Sequence, residues 1–126
     1  MKRITAALLA LLLGANAVAM LAAGRWWYGA LPGVVETGPF NPHFVLDIGA
    51  AYAVTAVGLA WSAIAPRAAR GWVYASALFL GLHALIHLLG AMSAAQPLGE
   101  LARDFAGVFL PALLAAWIAW PTAEAA

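Results

Sequence analysis

Residues 71–92 read GWVYASALFLGLHALIHLLGAM, an apolar run without Asp, Glu, Lys or Arg. At ~1.5 Å of rise per residue, a helix of this length crosses the ~30 Å of hydrocarbon in a bilayer. His83 and His87 stand i,i+4 in this run, a spacing that puts both on one face of a helix. Ionisable side chains are costly at membrane depth, so they are candidates for function. The run therefore predicts a membrane span and the position of a site.

Three more apolar runs accompany this one and cover residues 4–23, 43–65 and 104–120. Residues 24–42 form a long connection rich in Pro and Gly, which indicates an irregular loop at the membrane surface. Of the 126 residues, 66% are hydrophobic and 9% are charged, whereas an average soluble domain has about 25% charged residues. We therefore predict an all-α fold, an integral membrane four-helix bundle that forms a single transmembrane domain with the lipid bilayer as its solvent.

The few basic residues predict the orientation of the bundle. They divide into Lys2, Arg3, Arg67 and Arg70 on one side of the predicted spans and Arg25 and Arg103 on the other. Because cytoplasmic flanks carry the excess of Lys and Arg, both termini are expected in the cytoplasm and the 24–42 loop outside. Residues 1–19 also fit a cleaved signal peptide ending at the triplet Ala17-Val18-Ala19. The apolar run continues past that triplet, which favours a retained first helix.

Strongly polar side chains occur in all of the predicted helices, and all are expected in the outer half of the bundle. They are Asn16, His43, Asp47, His83, His87 and Asp104. The HxxxD pair shares a face of the second helix, and the HxxxH pair shares a face of the third. An isolated Asp or His in lipid costs several kcal/mol unless it is turned inward and paired. We therefore expect these two faces to meet, with Asn16 and Asp104 as supporting polar groups.

Such a cluster would suit a metal ion. Its expected ligands are His43, Asp47, His83 and His87, a set compatible with Zn²⁺, Cu²⁺ or non-haem iron. Haem b held between histidines of facing helices is less favoured, because four short helices already fill their own core. The same side chains also suit a hydrogen-bonded pair that fixes helix register without any cofactor. Cysteine is absent, which excludes disulfides and thiolate ligands.

The sequence carries no phosphate-binding loop, nucleophile elbow or catalytic-triad signature. Its net charge of +1 gives no indication of a nucleic-acid partner. The expected function is that of an accessory or assembly component of a membrane complex, with another membrane protein or a second copy of the chain as partner. The alternative is a metal- or haem-dependent membrane oxidoreductase that uses the same cluster.

The segment Thr37–Tyr52, TGPFNPHFVLDIGAAY, leads from a GPFNPHF loop into a helix with the HxxxD pair. Together with the four-span layout, it resembles small bacterial four-helix membrane proteins that are similar to the DoxX-like group. The resemblance implies a four-span fold in the bacterial inner membrane and a redox or accessory role. It assigns no individual site residue.

Overall fold

The structure, a computed structural model, describes residues 1–121. Its elements, in chain order, are α1 (Lys2–Ala30), a 3-10 turn (Val34–Thr37), α2 (Pro42–Ile64), α3 (Arg70–Met92), α4 (Pro97–Asp104), a π-helical turn (Phe105–Phe109) and α5 (Leu110–Ala119). The last three elements form one continuous segment, so the described residues contain four helical segments that are long and apolar enough to cross a membrane. The expected all-α class with four candidate spans is therefore confirmed.

Neighbouring segments are antiparallel, and the bundle has two distinct ends. We call the end with residues 31–41 and 93–96 the loop end, and the end with Lys2, residues 65–69 and Trp120 the terminal end. At the terminal end, Lys2 Nζ lies 3.4 Å from the carbonyl oxygen of Ile118. Arg3 Nε donates to the carbonyl oxygen of Ala63 over 2.7 Å. Basic side chains thus satisfy the carbonyls that end α2 and α5, where the helix dipole favours positive charge.

The core is centred on the α1–α2 pair, the most extensive helix contact in the bundle. Its buried apolar side chains include Leu9, Leu13, Met20, Val45, Tyr52, Leu59, Leu80 and Ala115. Gly49 allows the closest approach, because a Cβ there would stand 3.0 Å from the Cβ of Met20. Small residues at such positions let helix backbones pack tightly, as expected for helices in lipid.

Outside the core, large apolar side chains cover most of the surface. On α3, Leu78 and Ile86 are 63% and 68% exposed. The buried Ser and Thr hydroxyls of the described spans all have backbone acceptors, two within their own helix and one on a neighbouring helix. Ser62 donates to the carbonyl oxygen of Leu59 over 2.8 Å, and Ser76 reaches the carbonyl oxygen of Thr55 over 3.4 Å. The described residues therefore present the surface of a lipid-solvated protein, and none of their buried side-chain nitrogen or oxygen atoms lacks a hydrogen-bond partner.

The first helix is longer than expected, since it continues to Ala30 and takes in the first part of the predicted 24–42 loop. The continuation follows a kink at Ala23, where φ is −141° and ψ is 42°. The indole Nε1 of Trp27 donates to Oδ1 of Asn16 over 2.8 Å and so bridges the kink. The expected role of Asn16 in a cluster between helices is therefore wrong. Its amide oxygen is used within α1.

The fourth segment also begins earlier than residue 104. Helix α4 starts at Pro97, between the predicted spans 71–92 and 104–120, because proline suits the first turn of a helix. Pro111 lies in the first turn of α5, and the backbone N–H of Leu110 bonds to the carbonyl of Phe105, five residues back. This π-helical turn accommodates Pro111 in a continuous helical segment, although proline has no N–H to donate. The wider turn also changes the rotation of α4 relative to α5.

Candidate functional site

The HxxxD pair of α2 does not reach the centre of the bundle. His43 Nδ1 and Asp47 Oδ2 are 3.0 Å apart, as their i,i+4 spacing predicts, but their side chains are 84% and 65% exposed. The buried stripe of α2 runs through Val45, Gly49 and Tyr52, whose positions lie about two residues away and so on the opposite face. The expectation that this pair meets the α3 histidines is therefore wrong, because packing turns the other face of α2 inward.

The two histidines of α3 do point toward protein. The ring centroids of His83 and His87 are 4.7 Å apart. The imidazole of His83 also lies 5.8 Å from the ring of Tyr52, edge to face, and it stacks on Phe79 at 6.2 Å. His83 is thus held mainly by aromatic neighbours, whereas His87 is free to make a polar contact.

That contact joins α3 to α4. Nδ1 of His87 lies 2.6 Å from Oδ2 of Asp104, and the two side chains are 30% and 11% exposed. In the tautomer with a proton on Nδ1, the imidazole donates to the carboxylate. Among the ion pairs of the described residues, Asp104 is the most buried side chain, so its two contacts, with His87 and with Arg103, are better shielded from solvent than the other pairs.

Arg103 completes the site. Its Nε donates to Oδ1 of Asp104 over 3.0 Å, its Nη1 donates to Oε2 of Glu36 over 2.9 Å, and its Nη2 contacts Oε2 of Glu100. We call this set the Arg103 network, comprising Glu36, His87, Glu100, Arg103 and Asp104. It connects the 3-10 turn of the long loop, α4 and α3 at the loop end.

Sequence reasoning missed three members of the network, namely Glu36, Glu100 and Arg103. Glu100 and Arg103 lie between the predicted spans 71–92 and 104–120, although their i,i+3 spacing after Pro97 is a signal of a short helix. No comparable signal exists for Glu36, which lies 67 residues from Arg103 along the chain. Only the path of the loop brings it there.

Chemically, the network satisfies its own charges and hydrogen bonds. Both oxygens of the Asp104 carboxylate and all nitrogens of the Arg103 guanidinium have partners. Within residues 1–121, no group of three or more His, Cys, Asp or Glu side chains is placed to hold a metal ion. The expected site of His43, Asp47, His83 and His87 is therefore not formed by one copy of the chain. The exposed position of His43 likewise removes the pair of facing histidines that haem b requires.

A substitution at Gly33 can test the Arg103 network, because Gly33 lies against the guanidinium of Arg103. The φ of Gly33 is +81°, and a Cβ there would stand 2.5 Å from Cζ of Arg103. Gly33→Ala is expected to push the guanidinium away from its partners, so Glu100→Gln should cost about 1 kcal/mol in the wild type and almost nothing in the Gly33→Ala background. Thermal unfolding in detergent, followed by tryptophan fluorescence, measures this coupling.

Gly38→Ala is the matched control for that experiment. Gly38 also has a positive φ, of +134°, but a Cβ there meets nothing within 4 Å. Backbone strain is therefore present in both variants, whereas only the Gly33 variant disturbs Arg103. If Glu100→Gln had the same effect in both backgrounds, the inferred position of Arg103 against Gly33 would be contradicted.

The chain was compared with models of protein families, with curated proteins and with solved structures. None of the three comparisons gives a significant match.

Proposed function

We propose that this protein is an accessory or assembly component of a membrane complex, embedded in the bacterial inner membrane with both termini in the cytoplasm. The observation that carries the proposal is the position of Asp104. Its carboxylate is 11% exposed and uses both oxygens to join α3 to Arg103. A carboxylate whose two oxygens are both bonded in this way fixes helix register, and it is not available as a general base or a metal ligand. The polar groups at the loop end thus support a structural role better than a catalytic one.

The orientation rests on the distribution of basic residues. The terminal end brings Lys2, Arg3, Arg67 and Arg70 together around one cleft, whereas Arg25 and Arg103 belong to the loop end. The positive-inside rule then favours the terminal end as the cytoplasmic one. Retention of the first helix is part of the proposal, because loss of residues 1–19 would remove Leu9, Leu13 and Ala17 from the core. Membership of the DoxX-like group stays a prediction.

The test uses the full chain purified from its own membrane in a mild detergent. Native mass spectrometry is expected to show a defined protein partner at fixed ratio, and metal analysis and the optical spectrum are expected to show neither stoichiometric metal nor haem. Because α3 is less buried in the bundle than α1 or α2, we expect the partner to cover α3. A photo-reactive residue at Leu82, 53% exposed, should then cross-link to that partner, whereas the same residue at Leu80, 2% exposed, should not. An unrelated four-span protein with the same tag controls for co-extraction.

Two outcomes would contradict the proposal. Stoichiometric metal or haem in the wild type that is lost in the double variant His83→Ala/His87→Ala would support the oxidoreductase instead. A protein that runs alone, with neither a partner nor a cross-link at Leu82, would also rule out an accessory role.

A further inference from the structure

The terminal end contains an open cleft of about 610 Å³. Its lining includes four basic side chains, Lys2, Arg3, Arg67 and Arg70. No acidic side chain of residues 1–121 lines it. Four of the six Lys and Arg residues of the chain therefore surround one cavity. Like charges gathered without a counter-charge indicate a site for an anion.

Part of this positive charge is already used. Lys2 and Arg3 donate to the carbonyl groups that end α5 and α2, so their charges offset the negative ends of two helix dipoles. Arg67 and Arg70 differ, because both are exposed and neither has an ion-pair partner within the described part of the chain. These two guanidinium groups are the ones available for a ligand, and guanidinium matches phosphate geometry well.

The other walls of the cleft are apolar. Ala6 and Val73 are buried side chains within the spans, and Ile118 lies near the end of α5. Lys2 also lies over the ring of Trp117, 5.7 Å from its centroid, and Trp120 is a lining residue that is 73% exposed. Tryptophan side chains favour the headgroup level of a bilayer. The cleft thus combines positive charge at that level with a surface that leads into the hydrocarbon.

We propose that this cleft binds the headgroup phosphate of an anionic phospholipid, with an acyl chain against Val73 and Ile118. Arg67 and Arg70 contact the phosphate, and Lys2 and Arg3 add to the positive potential. A free phosphate ion is also negatively charged, but it has no acyl chain to pack against the apolar walls of the cleft. Basic pockets between membrane helices are a known way of holding anionic headgroups. The inference does not depend on the accessory role proposed above.

The experiment titrates the full-length protein in detergent with phosphatidylglycerol or with phosphatidylcholine of the same acyl chains, and counts bound lipid by native mass spectrometry. One phosphatidylglycerol is expected to bind in preference to phosphatidylcholine. Arg67→Gln and Arg70→Gln should each weaken its binding about fivefold, since each basic residue contributes that much near an anionic surface. Arg25→Gln removes the same charge at the loop end, where Arg25 lies over Phe40, and should leave binding unchanged.

Four results would overturn the proposal. Equal affinity for the two lipids, or equal loss in Arg25→Gln, would show that binding is not at this cleft. Complete competition by inorganic phosphate would assign the site to a free anion. Binding by a chain ending at Pro121 but not by the full chain would assign the cleft to residues 122–126, which include Glu124. Thermal unfolding of each variant confirms that a loss of binding is not a loss of fold.

Discussion

Replacing Asp104 with alanine is expected to lower the free energy of unfolding by about 3 kcal/mol, because it leaves His87 and Arg103 without their shared acceptor at a site shielded from solvent. The carboxylate is 11% exposed and contacts both partners directly. Removing one partner of a buried charged pair costs more than the pair itself contributes. Unfolding by SDS in bicelles, followed by tryptophan fluorescence, measures the loss.

Asp47→Ala is the matched control, since Asp47 is also paired with a histidine. That pair is 84% and 65% exposed, so its loss is expected to cost less than about 1 kcal/mol. The sequence predicts that Asp47 is desolvated in the polar cluster, with Asp104 as a supporting polar group. Equal costs for the two variants would contradict the burial of Asp104, and a larger cost for Asp47→Ala would restore the sequence-based expectation.

The second large effect is expected for Gly49→Leu, which should destabilise the bundle by about 2–3 kcal/mol through overpacking. A Cβ at Gly49 would already stand 3.0 Å from the Cβ of Met20 and 3.2 Å from Cγ of Leu21. The Met20 Cβ is fixed to its own helix and cannot swing away, so the added side chain must force α1 and α2 apart. The same SDS titration measures the loss.

Gly81→Leu is the control for Gly49→Leu, because a Cβ at Gly81 on α3 meets nothing within 4 Å. This variant is expected to change stability by less than about 0.5 kcal/mol. If it cost as much as Gly49→Leu, the effect would come from leucine in any helix and not from the α1–α2 contact.

A disulfide can report the separation of α1 and α2 directly, since the chain has no native cysteine. An ideal Cβ at Gly24 lies 3.9 Å from the Cβ of Val45, within the ~3.5–4.5 Å range that disulfides span. Gly24→Cys with Val45→Cys should therefore oxidise readily. The added Gly49→Leu substitution should slow this reaction.

Much of the fold could be predicted from the sequence because a bilayer imposes length and apolarity on each span. The starts of α2 and α3, and the four-span layout, follow from those two properties. Boundaries were missed where the chain stays helical beyond its apolar run, as α1 does up to Ala30. There, side-chain contacts such as the hydrogen bond from Trp27 to Asn16 stabilise a helix where composition alone predicts a loop.

The candidate site was predicted less well, and the reason is geometric. Spacing within a helix fixes which side chains are neighbours, so the contacts of His43 with Asp47 and of His83 with His87 follow from i,i+4 positions. Spacing does not fix the rotation of a helix about its own axis. For α2, the fit of Gly49 against Met20 decides that rotation and turns His43 and Asp47 outward.

By itself, the sequence determined that this chain is a bundle of four apolar helices with its strongest polar groups concentrated toward one end. Only the tertiary structure decided which of those groups meet. The π-helical turn before Pro111 and the path of the long loop bring Asp104, Arg103 and Glu36 together with His87. These contacts depend on helix rotation and on residues distant along the chain, and local pattern carries no information about either.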